Sequence, residues 1–337
     1  MNQRSTGTDS ELIAAIDVGS SKVCTILARK SRNGFPEVIS YSVVPSSGVT
    51  KGNVVDVNAT SQAIRRTLGE IRADVGMDVK SAYVGITGSH IAYENRVDHF
   101  SDIGRQGVVT LDEFAKIPSM VSDGLQIPGR KIIHSLPIHY GVDGHDGIKN
   151  PVGMHVTGLD VTTHLITSDS YFADKLKEAV LLSGIELKSL VLEPFASSES
   201  ILTQSEKDIG SAVVDIGGGT TDIALFRNGS LVYTAVIPVG GFQFTNDICL
   251  TYNVEFAEAE EAKLRYGHTN LSAVDLMETV PISPVGSSAN IEIRRRDICQ
   301  LMRERAVELI RLVDLKLQQG RLKENPNSLV YITGGAS

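Results

Sequence analysis

Two short segments of this chain share one pattern, and that pattern restricts the possible folds more than any other feature. In the segment 213–226 (VVDIGGGTTDIALF), an apolar β-branched run ends at Asp215, three glycines follow, and a second apolar run begins after Asp222. Short apolar runs of this kind are typical of strands, and glycines between them allow a tight turn because they tolerate positive φ. The simplest interpretation is a plain β-hairpin.

The two carboxylates of this segment need a further explanation. A carboxylate at the end of a buried apolar strand must be solvated, paired or bound to a cation. Backbone N–H groups of a glycine loop beside such a carboxylate are what a metal–phosphate ligand requires. The segment therefore fits either a plain turn or a phosphate-binding loop.

A second copy of the pattern favours the phosphate-binding interpretation. The segment 13–29 (IAAIDVGSSKVCTILAR) has an apolar strand, Asp17, one residue, Gly19, small polar residues and a second apolar strand. Asp17 and Asp215 lie 198 positions apart (215 minus 17). Two such hairpins predict a duplicated fold with facing phosphate loops. The chain has no G-x-x-x-x-G-K-[ST] motif and no G-x-G-x-x-G cluster here, which excludes P-loop and Rossmann sites.

Composition narrows the class of protein. With 337 residues the chain is long enough for two or more domains, and its net charge of -8 argues against general nucleic-acid binding, which needs a basic surface. Its three cysteines are far apart, so neither a disulfide framework nor a zinc site is predicted, and a reducing cytoplasm fits best. No signal peptide and no run of about 18 apolar residues is present, so we expect no membrane-spanning segment.

Two clusters of charged or titratable residues have structural interpretations. Five histidines lie between positions 134 and 164 but lack the paired spacing of zinc ligands. Arg294–Arg296 precede a segment in which Asp297 and Gln300 resemble a capping box. We therefore predict a packed helix with a solvated basic face, ending before Gly320. Its predicted apolar stripe consists of Ile298, Leu301, Ala306, Leu309, Ile310, Val313 and Leu317.

Periodicity predicts an α/β chain. Helices are expected where apolar residues recur at helical spacing, and strands where short apolar runs lie between Gly and Pro. The predicted strands are 12–18, 23–29, 38–43, 82–86 and 187–192, and the predicted helices are 60–76, 111–124, 171–184 (with Gly184 as its C-cap) and 241–250. A third strand-to-glycine turn ends the chain at 328–337, where Gly334 and Gly335 would let a flat ring approach the backbone.

These motifs carry a family resemblance. Asp17-x-Gly19-x-x-Lys22, the segment 215–222 and Gly334-Gly335 resemble the two phosphate motifs and the adenosine motif of the actin, heat-shock chaperone and sugar kinase superfamily. The segments 133–144 (IHSLPIHYGVDG), 147–154 (GIKNPVGM) and 257–267 (AEAEEAKLRYG) resemble the FtsA family of bacterial cell-division proteins, over essentially the whole chain from about Leu12.

The resemblance implies an architecture. Two actin-like domains of ribonuclease-H type would hold a nucleotide in the cleft between them, with a small α+β domain inserted in the first. The implied divisions are a disordered N-terminus at 1–11, a first core domain at 12–84 and 166–200, an inserted domain at 85–165, a second core domain at 201–246 and 289–337, and a subdomain at 247–288 inserted in the second core.

The resemblance also implies a site for ATP and magnesium. Asp17 and Asp215 would hold the ion through its waters, because magnesium gives up its hydration shell reluctantly, and Glu193 is placed near it by resemblance alone. Glu260 and Lys263 would hold the ribose, although their spacing alone predicts an ordinary surface pair. The implied nucleotide contacts are Asp17, Gly19, Ser20, Ser21, Lys22, Asp215, Gly217, Gly218, Gly219, Thr220, Thr221, Gly240, Gly241, Glu260, Lys263, Gly334 and Gly335. Unpaired N–H groups at the start of the helix from Gly241, with the Thr245 hydroxyl, would favour a phosphate.

The function implied by the resemblance is that of a scaffold. A protein of this family would bind the C-terminal tail of the tubulin-like FtsZ through the segment 247–288, self-associate into actin-like filaments, and contact other division proteins through its inserted domain. No residue is singled out to orient an attacking water, so at most slow ATP hydrolysis is expected. The implied location is the cytoplasmic face of the cell membrane at the division site.

Two rival families share parts of the pattern. A small-molecule kinase of the superfamily would share the phosphate loops but not the inserted domain, and the PilM family of pilus-assembly proteins would share the insertion but bind another partner. The membrane contact of the family depends on a terminal amphipathic helix that is absent from this sequence. We therefore expect the second core domain to be incomplete at Ser337, and membrane binding to depend on that missing helix.

Overall fold

The computed structural model of the protein describes residues 12–30, 35–103, 107–287, 289–324 and 326–337. The chain forms two compact units, Met1–Ala196 and Ser197–Ser337. The predicted disordered segment 1–11 lies outside the described residues.

A five-stranded sheet with the strand order β11-β6-β1-β2-β3 forms the centre of the first unit. Strands β1, β2 and β3 form an antiparallel meander, and β6 and β11 add to it in parallel with β1. In β1, buried and exposed residues alternate, as expected for a strand that packs helices on one face. The strands are β1 (Leu12–Val18), β2 (Lys22–Lys30), β3 (Pro36–Pro45), the short pair β4 (Val49–Thr50) and β5 (Asn53–Val54), β6 (Ser81–Ile86) and β11 (Glu186–Leu192).

Helix α1 (Val57–Val75) packs against this sheet. It begins three residues before the predicted start because the Asp56 side chain accepts the Ala59 N–H at 2.9 Å and caps the helix. Gly76, at φ 69°, ends it in the left-handed conformation, as is common at helix C-termini. Ala63, Ile64 and Ile71 on its buried face join the core of the first unit.

The chain between β6 and α3 forms a separate sheet with the order β7-β10-β8-β9. Helix α2 packs against β8. A capping box begins this helix, because the Thr110 side chain accepts the Glu113 N–H while the Glu113 carboxylate accepts the Thr110 N–H. The elements are β7 (Ile91–Phe100), α2 (Leu111–Asp123), β8 (Arg130–Val142), β9 (His145–Ile148) and β10 (Leu159–Asp169).

Helix α3 (Ser170–Leu182) returns the chain to the first sheet. Its predicted C-cap was wrong by one residue: Ser183 caps the helix in the right-handed conformation, and Gly184 then takes φ 94° to reverse the chain. Helix α4 (Glu193–Ile201) follows β11 directly.

The second unit repeats the plan of the first with the strand order β14-β13-β12-β17. Strands β12, β13 and β14 form the antiparallel meander, and β17 adds in parallel to β12 as β6 does to β1. The elements are α5 (Gln204–Ile209), β12 (Ser211–Ile216), β13 (Thr221–Arg227), β14 (Ser230–Ile237), α6 (Gly241–Tyr252), α8 (Arg295–Gln319) and β17 (Leu329–Thr333).

Between α6 and α8 the chain forms a small subdomain. It contains α7 (Phe256–Tyr266), a 3₁₀ turn at Leu271–Ala273, and the antiparallel pair β15 (Thr279–Ile282) and β16 (Ile291–Arg294). Ile248, Val280, Ile282 and Ile298 give it a buried core.

Helix α8 differs from its prediction in two details. It begins at Arg295, and its N-cap residue Arg294 makes no side-chain cap, so the predicted capping box of Asp297 and Gln300 was wrong. Gln300 instead donates to the Glu304 carboxylate at 2.6 Å along the helix surface. Ile310, predicted for the apolar stripe, is 65% exposed. Among the described residues, no helix combines the length and apolar character needed to span a bilayer.

Candidate functional site

The first predicted phosphate loop is the turn between β1 and β2. Asp17 lies opposite Cys24 at the end of the strand pair, and the Gly19 N–H closes the turn by donating to the Lys22 carbonyl at 3.0 Å. Asp17 and Lys22 are exposed. Asp17 also helps to raise the pKa of the Cys24 thiol, although burial raises it more.

The second predicted loop, between β12 and β13, has the same construction. Asp215 lies opposite Asp222, and the Gly217 N–H donates to the Thr220 carbonyl at 2.8 Å. The equivalent bond at the same offset shows that the sequence repeat is also a structural repeat.

Glycine is required in these turns for a reason other than the predicted one. Neither Gly19 nor Gly217 has φ in the left-handed region. A Cβ on Gly19 would lie 2.9 Å from the Lys22 carbonyl oxygen, and one on Gly217 would lie 3.2 Å from the Thr220 carbonyl oxygen. The turn at Gly19 is therefore too tight for a side chain, whereas at Gly217 the Thr220 carbonyl would have to give by a few tenths of an ångström.

Neighbouring loops hold the first turn in place. The Gly52 N–H donates to the Ser20 hydroxyl at 3.0 Å, and the Ser46 N–H donates to the Ser21 carbonyl at 3.0 Å. The Ser20 hydroxyl is therefore used in fixing the loop, while Ser21 is exposed.

Glu193 lies at the same edge of the first sheet as Asp17. Strands β1, β6 and β11 are parallel, so their carboxyl ends share one edge, and Glu193 directly follows β11. Its Cγ and Oε1 lie 3.1 Å from the position that a Cβ on Gly85 of β6 would occupy. The missing side chain at Gly85 is what gives the Glu193 carboxylate its room beside the neighbouring strand.

Side chains of the second unit fix the second hairpin. The Ser197 hydroxyl donates to Asp215 Oδ2 at 2.6 Å. The Thr220 hydroxyl donates to the buried Asp222 at 2.9 Å, and the Thr221 hydroxyl donates to the Val239 carbonyl at 2.8 Å. Both threonine hydroxyls are thus engaged with the protein, and the Gly217 N–H closes the turn, which leaves the backbone of 218–219 as the part of the loop suited to phosphate.

The start of α6 packs directly on this hairpin. The Gly241 N–H donates to the Gly217 carbonyl at 2.9 Å, and the Phe242 N–H donates to the Gly218 carbonyl at 2.8 Å. The Gly240 N–H donates to the Gln243 side chain at 2.8 Å. The expectation of unpaired N–H groups here was therefore wrong, because the helix start uses them to hold the loop.

Gly240 is essential to that packing. A Cβ at this position would lie 2.5 Å from the Gly217 carbonyl oxygen and 2.8 Å from the Gly218 carbonyl oxygen. The glycine lets the helix and the hairpin approach at backbone distance.

Glu260 and Lys263 form part of a network rather than an isolated surface pair. The Lys263 ammonium lies 2.7 Å from Glu260 Oε2 and donates to the Thr245 hydroxyl at 2.9 Å, while that hydroxyl also contacts Glu260. The Lys263 side chain is only 13% exposed. Its ammonium lies 3.7 Å from where a Cβ on Gly241 would be, so the pair and the start of α6 adjoin.

The predicted adenosine turn lies beside Asp215. Gly334, at φ 101°, could not carry a side chain, because a Cβ would lie 2.3 Å from the Ile216 carbonyl oxygen and 2.5 Å from Asp215 Oδ1. Gly335 has no atom within 4 Å of its Cβ position. The open side of Gly335 is compatible with a flat ring against the backbone.

The structure thus gathers the predicted residues in two groups. Those of the first unit lie at one sheet edge, and those of the second unit surround Asp215 and the start of α6. The sequence indicated Asp222, as a carboxylate between apolar residues, but not its bond with the Thr220 hydroxyl. Gly85, Ser197 and Gln243, which hold the predicted residues in place, had no such signal.

The donor set fits magnesium with a nucleotide. Magnesium prefers oxygen ligands and usually keeps several waters, so it needs only one or two carboxylates together with phosphates. Within the described ranges no three His, Cys, Asp or Glu side chains form a metal cluster by themselves. Each unit by itself offers a carboxylate beside a backbone turn, which is chemistry compatible with a water-mediated ion.

Comparison with known proteins identifies the family. The family model "Cell division protein FtsA" matches residues 212–337, and the model "SHS2 domain inserted in FTSA" matches residues 88–167. The cell division protein FtsA of Pseudomonas aeruginosa is 31% identical over 97% of this chain and 78% of its own length. This chain belongs to the FtsA family. The FtsA proteins of Escherichia coli K12 and Bacillus subtilis are 30% and 29% identical, over 98% and 97% of this chain and 80% and 74% of their own lengths.

Solved structures confirm the predicted actin-like fold. A PilM-PilN type IV pilus biogenesis complex contains a chain that matches with a TM-score of 0.66 and 16% identity, over 96% of this chain and 82% of that one. MreB5 of Spiroplasma citri, solved bound to ADP, matches with a TM-score of 0.52 and 14% identity, over 97% and 86%. Identities this low show a shared fold only. The structural match to the PilM-PilN complex is therefore no evidence for a PilM-like function.

Proposed function

We propose that this member of the FtsA family binds ATP with magnesium and acts as a scaffold that links FtsZ to the division site. The observation that supports nucleotide binding best is the repeated hairpin: both units build an Asp-x-Gly turn closed by the same backbone hydrogen bond. Each turn leaves little room for a side chain and presents backbone beside a carboxylate, which is an arrangement suited to phosphate.

Within this proposal each side chain has a defined role. Asp17 and Asp215 hold the magnesium through water, with Glu193 near it, and Lys22 adds positive charge at the first loop. The backbones of 20–22 and 218–220 bind the phosphates, because the N–H groups of Gly19 and Gly217 already close the two turns. Gly334 and Gly335 face the adenine. The metal, when bound, supplies positive charge that offsets the charge of the phosphates.

Glu260 and Lys263 are proposed to bind the ribose. Their network with Thr245 lies beside Gly241, at the start of the helix that holds the second loop. A carboxylate and an ammonium that are fixed by a third group can accept from and donate to the two ribose hydroxyls without further ordering.

We propose that ATP acts mainly as a conformational and assembly ligand. The sequence singles out no residue to orient an attacking water, and we propose slow turnover at most. A ligand of this kind changes the population of an assembly-competent state rather than forming product quickly. Self-association into actin-like filaments and contacts with other division proteins through residues 85–165 belong to this same proposal.

The FtsZ tail is proposed to bind the subdomain at 247–288. Most residues of one buried core lie in this segment, and it exposes several large apolar side chains, among them Leu264 at 74%, Leu276 at 62% and Met277 at 85%. Exposed apolar side chains can contribute to a surface that receives a peptide when they form a continuous patch. The location is proposed to be the cytoplasmic face of the membrane, through a terminal amphipathic helix of the family type.

The nucleotide proposal is tested by titration calorimetry with ATP, with and without magnesium. Asp215→Ala should abolish most of the affinity gained from magnesium, while Asp275→Ala, which removes an exposed carboxylate of the same unit, should change nothing. Glu260→Gln should weaken binding and its exposed neighbour Glu261→Gln should not. Equal affinities across all four variants would contradict the site.

The partner proposal is tested with a peptide of the FtsZ C-terminal tail. We expect saturable binding to the folded chain, a change in affinity when magnesium and ATP are added, and weaker binding by Met277→Glu. Leu111→Glu, which changes an exposed leucine outside the proposed subdomain, is the control. A folded chain that binds a scrambled peptide equally well would refute the assignment.

A further inference from the structure

Strand β8 connects the inserted sheet with the core of the first unit. Near its start, Ile133 packs against the core that surrounds the five-stranded sheet. Near its end, Tyr140 and Val142 belong to the core beneath α2. One strand therefore contributes to both cores, and its pairing with β10 shifts register on either side of residues 134–137.

His134, between those two ends, contacts the chain around Glu193. The Leu192 N–H donates to His134 Nε2 at 2.9 Å, and the Phe195 ring packs edge-on against the imidazole with the ring centroids 5.5 Å apart. Leu192 is the residue before Glu193, and Phe195 follows two residues after it. The histidine thus holds the segment on both sides of the carboxylate.

The imidazole is suited to this acceptor role. Burial lowers the pKa of His134 to about 4, so the ring is neutral at neutral pH. A neutral imidazole with its proton on Nδ1 has a free lone pair on Nε2 for the Leu192 N–H. A positively charged ring would carry protons on both nitrogens and could not accept this bond.

The position of Glu193 is sensitive to its backbone. Its carboxylate lies against Gly85, where Cγ and Oε1 are both 3.1 Å from the position of an added Cβ. Carboxylates that contact a metal or its waters depend on supporting contacts behind them for their orientation. A displacement of Leu192 or Phe195 therefore changes where the Glu193 oxygens lie.

We propose that His134 is a positioning residue that couples the inserted sheet to Glu193, and through it to magnesium-dependent nucleotide binding. This inference rests on the proposed function. Coupling between two binding sites is reciprocal. If a partner bound to the inserted sheet changes the free energy of nucleotide binding, then nucleotide binding changes the free energy of partner binding by the same amount.

A second contact on the same strand provides a matched control. Lys131, three residues earlier on β8, forms an ion pair with Asp174 of α3, with both side chains partly exposed. This pair also joins β8 to the core, but it makes no contact with residues 192–195. Lys131→Ala therefore removes a link of the same kind without touching the support of Glu193.

The test uses the full chain with three variants, His134→Phe, His134→Gln and Lys131→Ala. Phenylalanine keeps the ring against Phe195 but leaves the Leu192 N–H without an acceptor, whereas glutamine places a carbonyl oxygen near the site of Nε2. ATP affinity is measured with magnesium and again with EDTA. His134→Phe should lose about tenfold in affinity with magnesium, the low end of what loss of a supporting contact behind a metal site costs. Its affinity in EDTA should stay unchanged.

Rescue separates positioning from general stability. His134→Gln should recover most of the magnesium-dependent affinity, and Lys131→Ala should match the wild type. Equal loss in magnesium and in EDTA, or equal affinity of His134→Phe and the wild type, would overturn the inference. A wild type that gains nothing from magnesium would refute the proposed function instead. If His134→Phe does not fold, Phe195→Leu removes the contact on the other side of Glu193. This variant must then lose ATP affinity with magnesium but keep its ATP affinity in EDTA.

Hydrogen exchange gives an independent readout. Magnesium and ATP should change the exchange of β8 and β10 amides in the wild type and in Lys131→Ala. The change should be absent in His134→Phe at nucleotide concentrations that saturate it. A full response in the saturated variant would overturn the inference.

Discussion

Two adjacent glycines at the end of β17 have opposite surroundings. Gly334 has φ 101°, and an added Cβ would lie 2.3 Å from a backbone oxygen, whereas Gly335 has open space around its Cβ position. We predict that Gly334→Ala lowers the free energy of unfolding by about 2 kcal/mol or more, because it combines backbone strain with a clash. Gly335→Ala should stay within about 0.5 kcal/mol of the wild type.

Urea denaturation of both variants checks this prediction. ATP affinity gives a second readout, because Gly335→Ala adds a methyl group where adenine is proposed to lie and should weaken ATP binding without affecting stability. A stable Gly334→Ala would show that the turn does not have the described backbone.

A buried histidine predicts a pH dependence of stability. His164 is completely buried and bonds to Asn95, and burial, with a smaller effect of His134, lowers the pKa of His164 to about 3. The unfolded chain binds this proton near pH 6.5, but the folded chain does not, so stability falls as the pH decreases below 6.5. We expect His164 to contribute about 2 kcal/mol of this loss between pH 6.5 and pH 5.

The measurement compares urea denaturation of the wild type with His164→Asn at both pH values. Asparagine keeps a donor for the Asn95 side chain but does not titrate. Its stability should therefore fall less between pH 6.5 and pH 5. The same slope in both proteins would contradict a low pKa for His164.

At the scale of elements, helix α1 contains a glycine that costs stability without a structural need. Gly69 is exposed in the middle of the helix, and nothing lies within 4 Å of its Cβ position. Gly69→Ala should therefore raise the free energy of unfolding by about 0.5 to 1 kcal/mol, since alanine loses less backbone entropy in a helix.

The C-cap of the same helix provides the control. Gly76 has equally open surroundings but takes φ 69°. Gly76→Ala should therefore lower the free energy of unfolding by about 1 kcal/mol, because the left-handed conformation is unfavourable for a residue with a Cβ. Urea midpoints of the two variants should move in opposite directions, and movement in the same direction would contradict the assigned backbone conformations.

At the scale of the whole molecule, ligand binding should be visible as stability. A ligand at one hundred times its dissociation constant adds about 2.7 kcal/mol to the free energy of unfolding. We predict such a gain with magnesium and ATP. Asp17→Asn in the first unit and Asp215→Asn in the second should each remove most of it. Calorimetric melting with and without ligand measures the gain, and a full gain in either variant would exclude that carboxylate.

Most elements were predictable because their signals are local. The two Asp-x-Gly turns, the meander strands and helix α2 are determined by apolar alternation, helical periodicity and capping residues that lie within a few positions of one another. The signals at Gly184 and Asp297 misplaced element ends, whereas the expected free N–H groups at the start of α6 were wrong because that helix start bonds to the second hairpin. The actin-like fold and the FtsA family were predictable from motifs, and both were confirmed.

Only the tertiary structure decided how residues distant in the sequence support the site. Gly85 lies beside Glu193, Ser197 bonds to Asp215, the start of α6 bonds to the second hairpin, and His134 bonds to Leu192. None of these contacts has a sequence signal, because each depends on which elements the fold brings together. The sequence by itself therefore determined the repeated turns and the chemistry they can offer. Packing between distant elements determined how those turns are held in place, because contacts between residues far apart in the sequence form only in the folded chain.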